Sequence, residues 1–171
     1  MAQWQGKGSH RPSCSVVLPF SATALSGVRV TRIDFYTHVA DKVPVALQLT
    51  CKAWAQGLPV WLRVPDEVMA QQLDQRLWTH PQAEFVPHCR SDHALAAETP
   101  IVIDALEMEP RSHRVLINLR SDPPLYFARF ERLAEIVSQI DQDAAQARER
   151  FRFYRQRGFE VQAHNLANHR F

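Results

Sequence analysis

Short alternating runs and longer runs of helical period follow one another between residues 30 and 163. The runs VTRIDFY, PVWLRV, PIVIDA and RVLINL predict strands, since they are short and rich in β-branched and aromatic residues. These strands are Val30–Tyr36, Pro59–Val64, Pro100–Ala105 and Arg114–Leu119, and Phe159–Ala163 predicts a short last strand. The third and fourth are nearly all apolar, which indicates central positions in a sheet.

Helical spacing of apolar residues marks the segments between these strands. The first predicted helix is Pro44–Trp54, with Leu47, Cys51 and Trp54 on one face and Gly57 at its exit. The second begins after Asp66, which can cap it, and buries a stripe with Trp78 beside it. That stripe is Met69, Leu73 and Leu77. A third helix is predicted over Leu125–Ile140, where the candidates for burial are Phe127, Phe130, Leu133, Ile136 and Val137.

The stretch DQDAAQARERFRFYRQRG predicts a further helix over Asp141–Gly158, with Asp141 as its cap and Gly158 at its end. Its apolar stripe is Ala144, Ala147, Phe151 and Tyr154, and one edge carries Arg148, Arg152 and Arg155. Residues 148–157 contain five Arg and one Glu. Guanidinium groups beside an aromatic ring suit an acidic partner with an apolar anchor. Charge pattern alone favours the other interpretation, a solvated helix face.

Strands that alternate with helices at this spacing predict a three-layer α/β/α fold with a mostly parallel sheet. Such folds often bind nucleotides through a glycine-rich loop after the first strand. Here that loop reads THVADKVP and contains no glycine. A nucleotide site of the usual kind is therefore not expected, and the motifs G-x-S-x-G, H-E-x-x-H and C-x-x-C do not occur.

Bulk composition is that of an ordinary globular chain. The 171 residues are 46% hydrophobic and 22% charged, which fits one domain over residues 30–171. Since the net charge of the chain is only +2, the positive charge is local to the arginine-rich helix. Three cysteines without paired spacing predict reduced thiols and a cytoplasmic protein, and no apolar run reaches membrane-spanning length.

Residues 1–29 differ from the rest, because they contain three of the five glycines and show no periodicity. Lys7, His10 and Arg11 before an apolar stretch resemble a signal peptide, but Pro19 interrupts that stretch. A disordered leader, or a true start near Val28 or Val30, is the favoured interpretation.

Two weaker chemical candidates lie elsewhere in the chain. His88, Cys89 and His93 form a conceivable metal site, but the spacing matches no standard pattern in a loop predicted from Thr79 to Thr99. No metal or other cofactor is therefore expected. Asp34 and Asp104 lie in predicted strands without a catalytic partner, so they are expected to be structural or exposed.

Four segments together carry a resemblance to a known family. They are Leu73-Asp74-x-x-Leu77-Trp78, Phe85-Val86-Pro87-His88, Leu116-Ile117-Asn118-Leu119-Arg120 and Ala147-Arg148-Glu149-Arg150-Phe151-Arg152-x-Tyr154-Arg155-x-x-Gly158-Phe159. In this order and spacing the chain resembles the chi subunit of bacterial DNA polymerase III from about Val30 to about Ala163. The resemblance implies a nucleotide-binding-like topology without a nucleotide.

The resemblance also implies a non-catalytic subunit of the clamp-loader assembly. Chi proteins pair with the psi subunit and bind the acidic C-terminal tail of single-stranded DNA-binding protein, so contact with DNA is mostly indirect. A helicase of the iron–sulfur family can compete with psi. The alternative from a different class is a small α/β enzyme that acts on nucleic acid or nucleotides.

The family's tail-binding site falls on the predicted arginine-rich helix. Val137 and Phe151 match its apolar lining, and Arg148 and Arg152 match its basic positions. A further basic position falls at Ala144, so one contact is missing and Arg155 is the candidate substitute.

The family's psi-contacting surface, which the helicase shares, falls on Trp78, Phe85 and Pro87. The alternative for Trp78 and Phe85 is that they cover the edge of the sheet.

Overall fold

The computed structural model describes residues 30–79 and 85–167, so the predicted leader at residues 1–29 lies outside the described part. Within it, the strands are β1 (Arg32–Val39), β2 (Val60–Arg63), β3 (His88–Arg90), β4 (Ile101–Asp104), β5 (Val115–Asn118), β6 (Arg132–Ser138) and β7 (Val161–Asn165). The α-helices are α1 (Lys42–Ala55), α2 (Glu67–Trp78) and α3 (Asp141–Gln156), and 3-10 turns occur at Ala94–Ala97 and Phe127–Arg129.

All seven strands form one sheet in the order β3-β4-β2-β5-β6-β1-β7, and each pairing is parallel. Helices α1 and α2 pack on one face through a core that includes Leu49 and Leu73. Helix α3 packs on the other face, where Tyr154 meets Phe35 and Leu116. The three-layer α/β/α prediction is confirmed, and β4 and β5 both lie inside the sheet as expected.

Most helix boundaries follow from the local signals in the sequence. Asp66 Oδ1 accepts a hydrogen bond from Met69 N at 2.8 Å and caps α2, as predicted. Gly57 and Gly158 have φ of +70° and +82°, the left-handed conformation that ends a helix. The predicted cap of α3 is wrong, because Ile140 is the N-cap and Asp141 is the first helical residue.

The predicted helix over Leu125–Ile140 is also wrong, since its second half is strand β6. This strand is buried on both faces between β5 and β1, so its apolar residues do not alternate with polar ones. A short continuous apolar run does not distinguish a buried strand from a buried helix. The five residues proposed for burial there are all buried, although the element was misassigned.

The segment predicted as a loop over Thr79–Thr99 contains an edge strand, β3, and a 3-10 turn. Three residues of β3 give too short a pattern to detect. No helix in the described residues is long and apolar enough to cross a membrane.

Candidate functional site

The exposed edge of α3 carries Arg148, Arg152 and Arg155, which we call the arginine rail. Half-buried Phe151 lies beside the rail and meets Phe35 of β1 edge-to-face, with 5.4 Å between ring centroids. The guanidinium carbon of Arg155 lies 5.9 Å from the centroid of the Phe151 ring. The side chain of Arg152 forms an ion pair with Glu149, and both are exposed. The rail therefore combines accessible positive charge with an aromatic edge.

The edge strand β7 contributes an exposed residue to the face of the sheet that α3 covers. Ala163 of β7 is the register partner of Phe35, so both point to the face covered by α3. Helix α3 rests on Phe35 and Val137, and it leaves Ala163 exposed. Val137 retains only 2% exposure and lies beneath the helix. We call the surface formed by the arginine rail, Phe151 and Ala163 the rail surface.

Arg150 lies apart from the other arginines of α3, because it is buried at 2% exposure. Its Nε donates to Glu135 Oε2 at 3.0 Å, and its Nη1 donates to the Ser121 carbonyl at 2.6 Å. The charge pattern of residues 148–157 does not distinguish Arg150 from the four exposed arginines. The detectable signal is its position on the buried side of the helix, three residues after Ala147 and four before Tyr154.

Glu135, in the middle of β6, is the centre of a buried polar network beside the carboxyl end of β5. It accepts from Tyr154 Oη at 2.7 Å and from Asn118 Nδ2 at 3.1 Å. Burial raises the pKa of the Glu135 carboxyl, while Arg150, Tyr154 and Asn118 act in the opposite direction. Burial and the neighbouring Glu135 also raise the pKa of the Tyr154 hydroxyl. This network fixes α3 against the sheet.

The same edge of the sheet continues with Arg63, which ends β2. Its guanidinium group donates to Asp122 Oδ2 at 2.6 Å and to Glu107 Oε1. The carboxyl ends of parallel strands are where such folds usually bind ligands. Here the protein's own ion pairs occupy that edge.

The two strand aspartates are structural, as expected. Asp34 is fully buried and binds Arg132 Nη2 at 2.8 Å and His164 Nε2 at 2.9 Å. Asp104 is buried and accepts from Ser91 Oγ at 2.7 Å. Their partners hold neighbouring strands and loops together.

A second exposed surface lies at the opposite edge of the sheet. Trp78, the last residue of α2, and Phe85, which precedes β3, are 61% and 67% exposed. Their ring centroids lie 5.6 Å apart, and Pro87 beside them is half-buried. We call these three residues the aromatic surface. The structure brings the rings of Trp78 and Phe85 together at the surface, so these two are not core residues, and their role in binding a partner stays a prediction.

The residues of the conceivable metal site do not converge. His88 packs against Trp78, whereas Cys89 joins the core on the α3 side of the sheet. His93 is exposed, and its Nδ1 accepts from Leu95 N at 3.2 Å. Among residues 30–79 and 85–167, no group of three or more histidine, cysteine or acidic side chains could hold a metal ion.

The described geometry is thus that of a parallel α/β protein with a basic and an aromatic surface at different edges. The family model for the DNA polymerase III chi subunit, HolC, matches residues 30–162, and the chain belongs to this family. It is 37% identical to the chi subunit of Pseudomonas aeruginosa over 142 residues, which cover 80% of this chain and 98% of that one.

More distant relatives agree with this assignment. The chain is 32% identical to the chi subunit of Haemophilus influenzae, covering 71% of this chain and 85% of the relative. It is 30% identical to that of Escherichia coli, covering 71% of this chain and 86% of the relative. Family membership supports an accessory role in DNA replication.

Proposed function

We propose that the protein is a non-catalytic, cytoplasmic accessory subunit that joins the clamp loader, through psi, to the acidic tail of single-stranded DNA-binding protein. The supporting observation is the separation of the two exposed surfaces. The rail surface lies on α3 and edge strand β7, and the aromatic surface lies beside edge strand β3 at the end of α2. These edges are opposite, and α2 and α3 lie on opposite faces of the sheet. Two partners can therefore be held at once without steric conflict.

At the rail surface, the tail's terminal phenylalanine would lie over Ala163 and against the ring of Phe151. Its terminal carboxylate would meet Arg148, whose planar guanidinium group can hold a carboxylate through two hydrogen bonds. Arg152 would face the tail's aspartates as a more screened contact, after release of Glu149. Arg155, which already lies over Phe151, would supply the positive charge that Ala144 does not.

Calorimetry with a tail peptide tests this model. Arg148→Ala should weaken binding by about 2 kcal/mol, roughly thirtyfold, because the directed ion pair at the anchor is lost. Arg152→Ala should cost about 1 kcal/mol or less, and its effect should shrink as salt rises. Arg76→Ala, an exposed arginine on α2, is the matched control and should change nothing.

The truncated peptide separates anchoring from general attraction. A tail peptide without its final phenylalanine should show no measurable binding. Equal binding of that peptide would mean that the rail only attracts negative charge, and the anchored model would be wrong.

At the aromatic surface, psi would dock on Trp78, Phe85 and Pro87, and the iron–sulfur-family helicase would compete for the same residues. Truncation of an aromatic anchor at an interface typically costs about 2 kcal/mol or more. Phe85→Ala should therefore weaken psi binding about thirtyfold and leave tail binding unchanged. Since Phe85 is 67% exposed, this substitution should change the free energy of unfolding of the protein by less than about 0.5 kcal/mol.

Simultaneous binding is the decisive property of a bridge. Psi immobilised with this protein should retain the tail peptide, and psi alone should not. A tail that displaces psi would contradict the bridging proposal. The enzyme alternative gains no support from the edge of the sheet, where Arg63, Glu107 and Asp122 pair with one another. Direct titration with nucleotides tests that alternative.

A further inference from the structure

The charge around the aromatic surface is opposite to that of the rail. Between Asp66 and Asp92 the sequence contains five acidic residues and two basic ones. One of the acids, Glu67, is neutralised by Arg90, whose Nη1 lies 2.6 Å from its Oε1. This pairing holds the pKa of Glu67 at about 2. Glu67 therefore stays charged, and the positive charge of Arg90 already balances it.

Asp74 is in a different situation. It lies one helical turn before Trp78 on the same face of α2, and its side chain is 39% exposed. No arginine or lysine of the described residues forms a salt bridge with it, and its close partner is His88, with Nε2 3.4 Å from Asp74 Oδ1. His88 Nδ1 lies 2.7 Å from the Val86 carbonyl, which can only accept, so Nδ1 carries a proton.

The His88 side chain has no exposed area, so its Nε2 meets Asp74 from inside the protein, and the outer part of the carboxylate stays open to a partner. Arg90 attracts the same carboxylate from a greater distance, because its direct contact is with Glu67. An accessible carboxylate therefore lies next to the exposed face of Trp78.

We infer that the segment of psi that docks on the aromatic surface carries a lysine or arginine next to its apolar anchor. This inference rests on the proposed function and adds the chemistry of the partner. The cation would stack on the Trp78 indole, the aromatic ring with the strongest cation–π attraction, and its charge would pair with Asp74. The apolar anchor would pack on Phe85 and Pro87. Asp74 is thereby a specificity-determining residue, and it repels the acidic tail that the rail attracts.

The test measures binding of full-length psi to the full-length protein at low and high salt. Asp74→Lys should weaken binding at least tenfold, because the cation meets a like charge. Asp74→Asn should weaken it about fivefold and reduce its dependence on salt. Glu160→Gln, the same loss of charge at the far edge of the sheet, is the matched control and should bind as the wild type does.

Tail-peptide binding reports on folding of each variant and should remain unchanged. Psi binding of Asp74→Lys at or above the wild-type level would overturn the inference. If Phe85→Ala weakens psi binding while Asp74→Lys does not, the inference fails and the proposed function stands. If psi does not bind the wild type, or Phe85→Ala has no effect, the proposed docking surface fails and the inference fails with it.

Discussion

Replacement of Arg150 tests how the structure separates the arginines of α3. Arg150→Ala removes the ion pair to Glu135 and the hydrogen bond to the Ser121 carbonyl. Glu135, which has no exposed area, keeps only its uncharged partners, Tyr154 and Asn118. Removal of one member of a buried ion pair typically costs about 3–5 kcal/mol, so the free energy of unfolding should fall by that amount. The same change at exposed Arg148 should cost less than about 0.5 kcal/mol.

Urea unfolding at pH 8 and pH 5 measures both the size and the origin of this loss. Burial raises the pKa of Glu135, and Arg150 opposes that rise, so the variant should have a still higher pKa. A carboxyl with a raised pKa in the folded state favours folding at low pH, and that contribution is lost as pH rises toward the folded-state pKa. The penalty of Arg150→Ala should therefore be smaller at pH 5 than at pH 8.

A second substitution isolates the unpaired charge. Glu135→Gln in the Arg150→Ala background removes the carboxylate and keeps an acceptor for Tyr154, so part of the lost stability should return. A penalty below about 1 kcal/mol for Arg150→Ala, equal at both pH values, would refute the buried-pair argument.

Three further predictions concern single contacts. The Asp143 carboxylate contacts Lys42 Nζ and accepts a hydrogen bond from Ser138 N, both at 2.7 Å. Burial acts to raise the pKa of Asp143, but these contacts outweigh burial, so the pKa is lowered. Asp143→Asn should thus lower the free energy of unfolding by about 1–3 kcal/mol at pH 7. In urea unfolding, the difference from wild type should shrink as pH falls below about 4, and a constant difference would contradict this. Ala163→Leu should put a bulkier side chain where the tail's terminal phenylalanine would lie, and so weaken tail-peptide binding at least tenfold in calorimetry with little change in stability. Unchanged affinity would place the anchor elsewhere. Asp66→Ala should lower the free energy of unfolding by about 1 kcal/mol in urea unfolding, because α2 loses its cap. An unchanged free energy of unfolding would show that water replaces the cap.

Local signals in the sequence were sufficient for most of the fold. Asp66 marks the start of α2, because its side chain accepts a hydrogen bond from a backbone N–H group of the first turn. Gly158 marks the end of α3, because a residue without a side chain readily adopts the left-handed conformation found there. The failure at Leu125–Ile140 has a physical reason, since burial on both faces of β6 depends on β5 and β1, which are distant in sequence.

The candidate surfaces were predictable only in part. Helical periodicity predicts the exposed arginines of the rail. It does not predict that Arg150 pairs with Glu135, because no local sequence pattern indicates that partner. Exposure of Trp78 and Phe85 was undecided from sequence, because a large aromatic residue near a sheet edge fits both the core and an interface. The structure decides exposure through the positions of α2 and β3, which leave both rings at the surface.

The strand order has a consequence for the synthesis of the chain. Strand β1 is made first, yet its neighbours in the sheet are β6 and β7, whose residues begin at Arg132 and Val161. During translation, β1 and its apolar faces therefore lack their partners until most of the chain has left the ribosome. Pairings this distant in sequence slow folding and leave incomplete chains prone to aggregation. Since β7 also contributes Ala163 to the rail surface, a nascent chain gains that surface only after β7 has been made and has paired with β1.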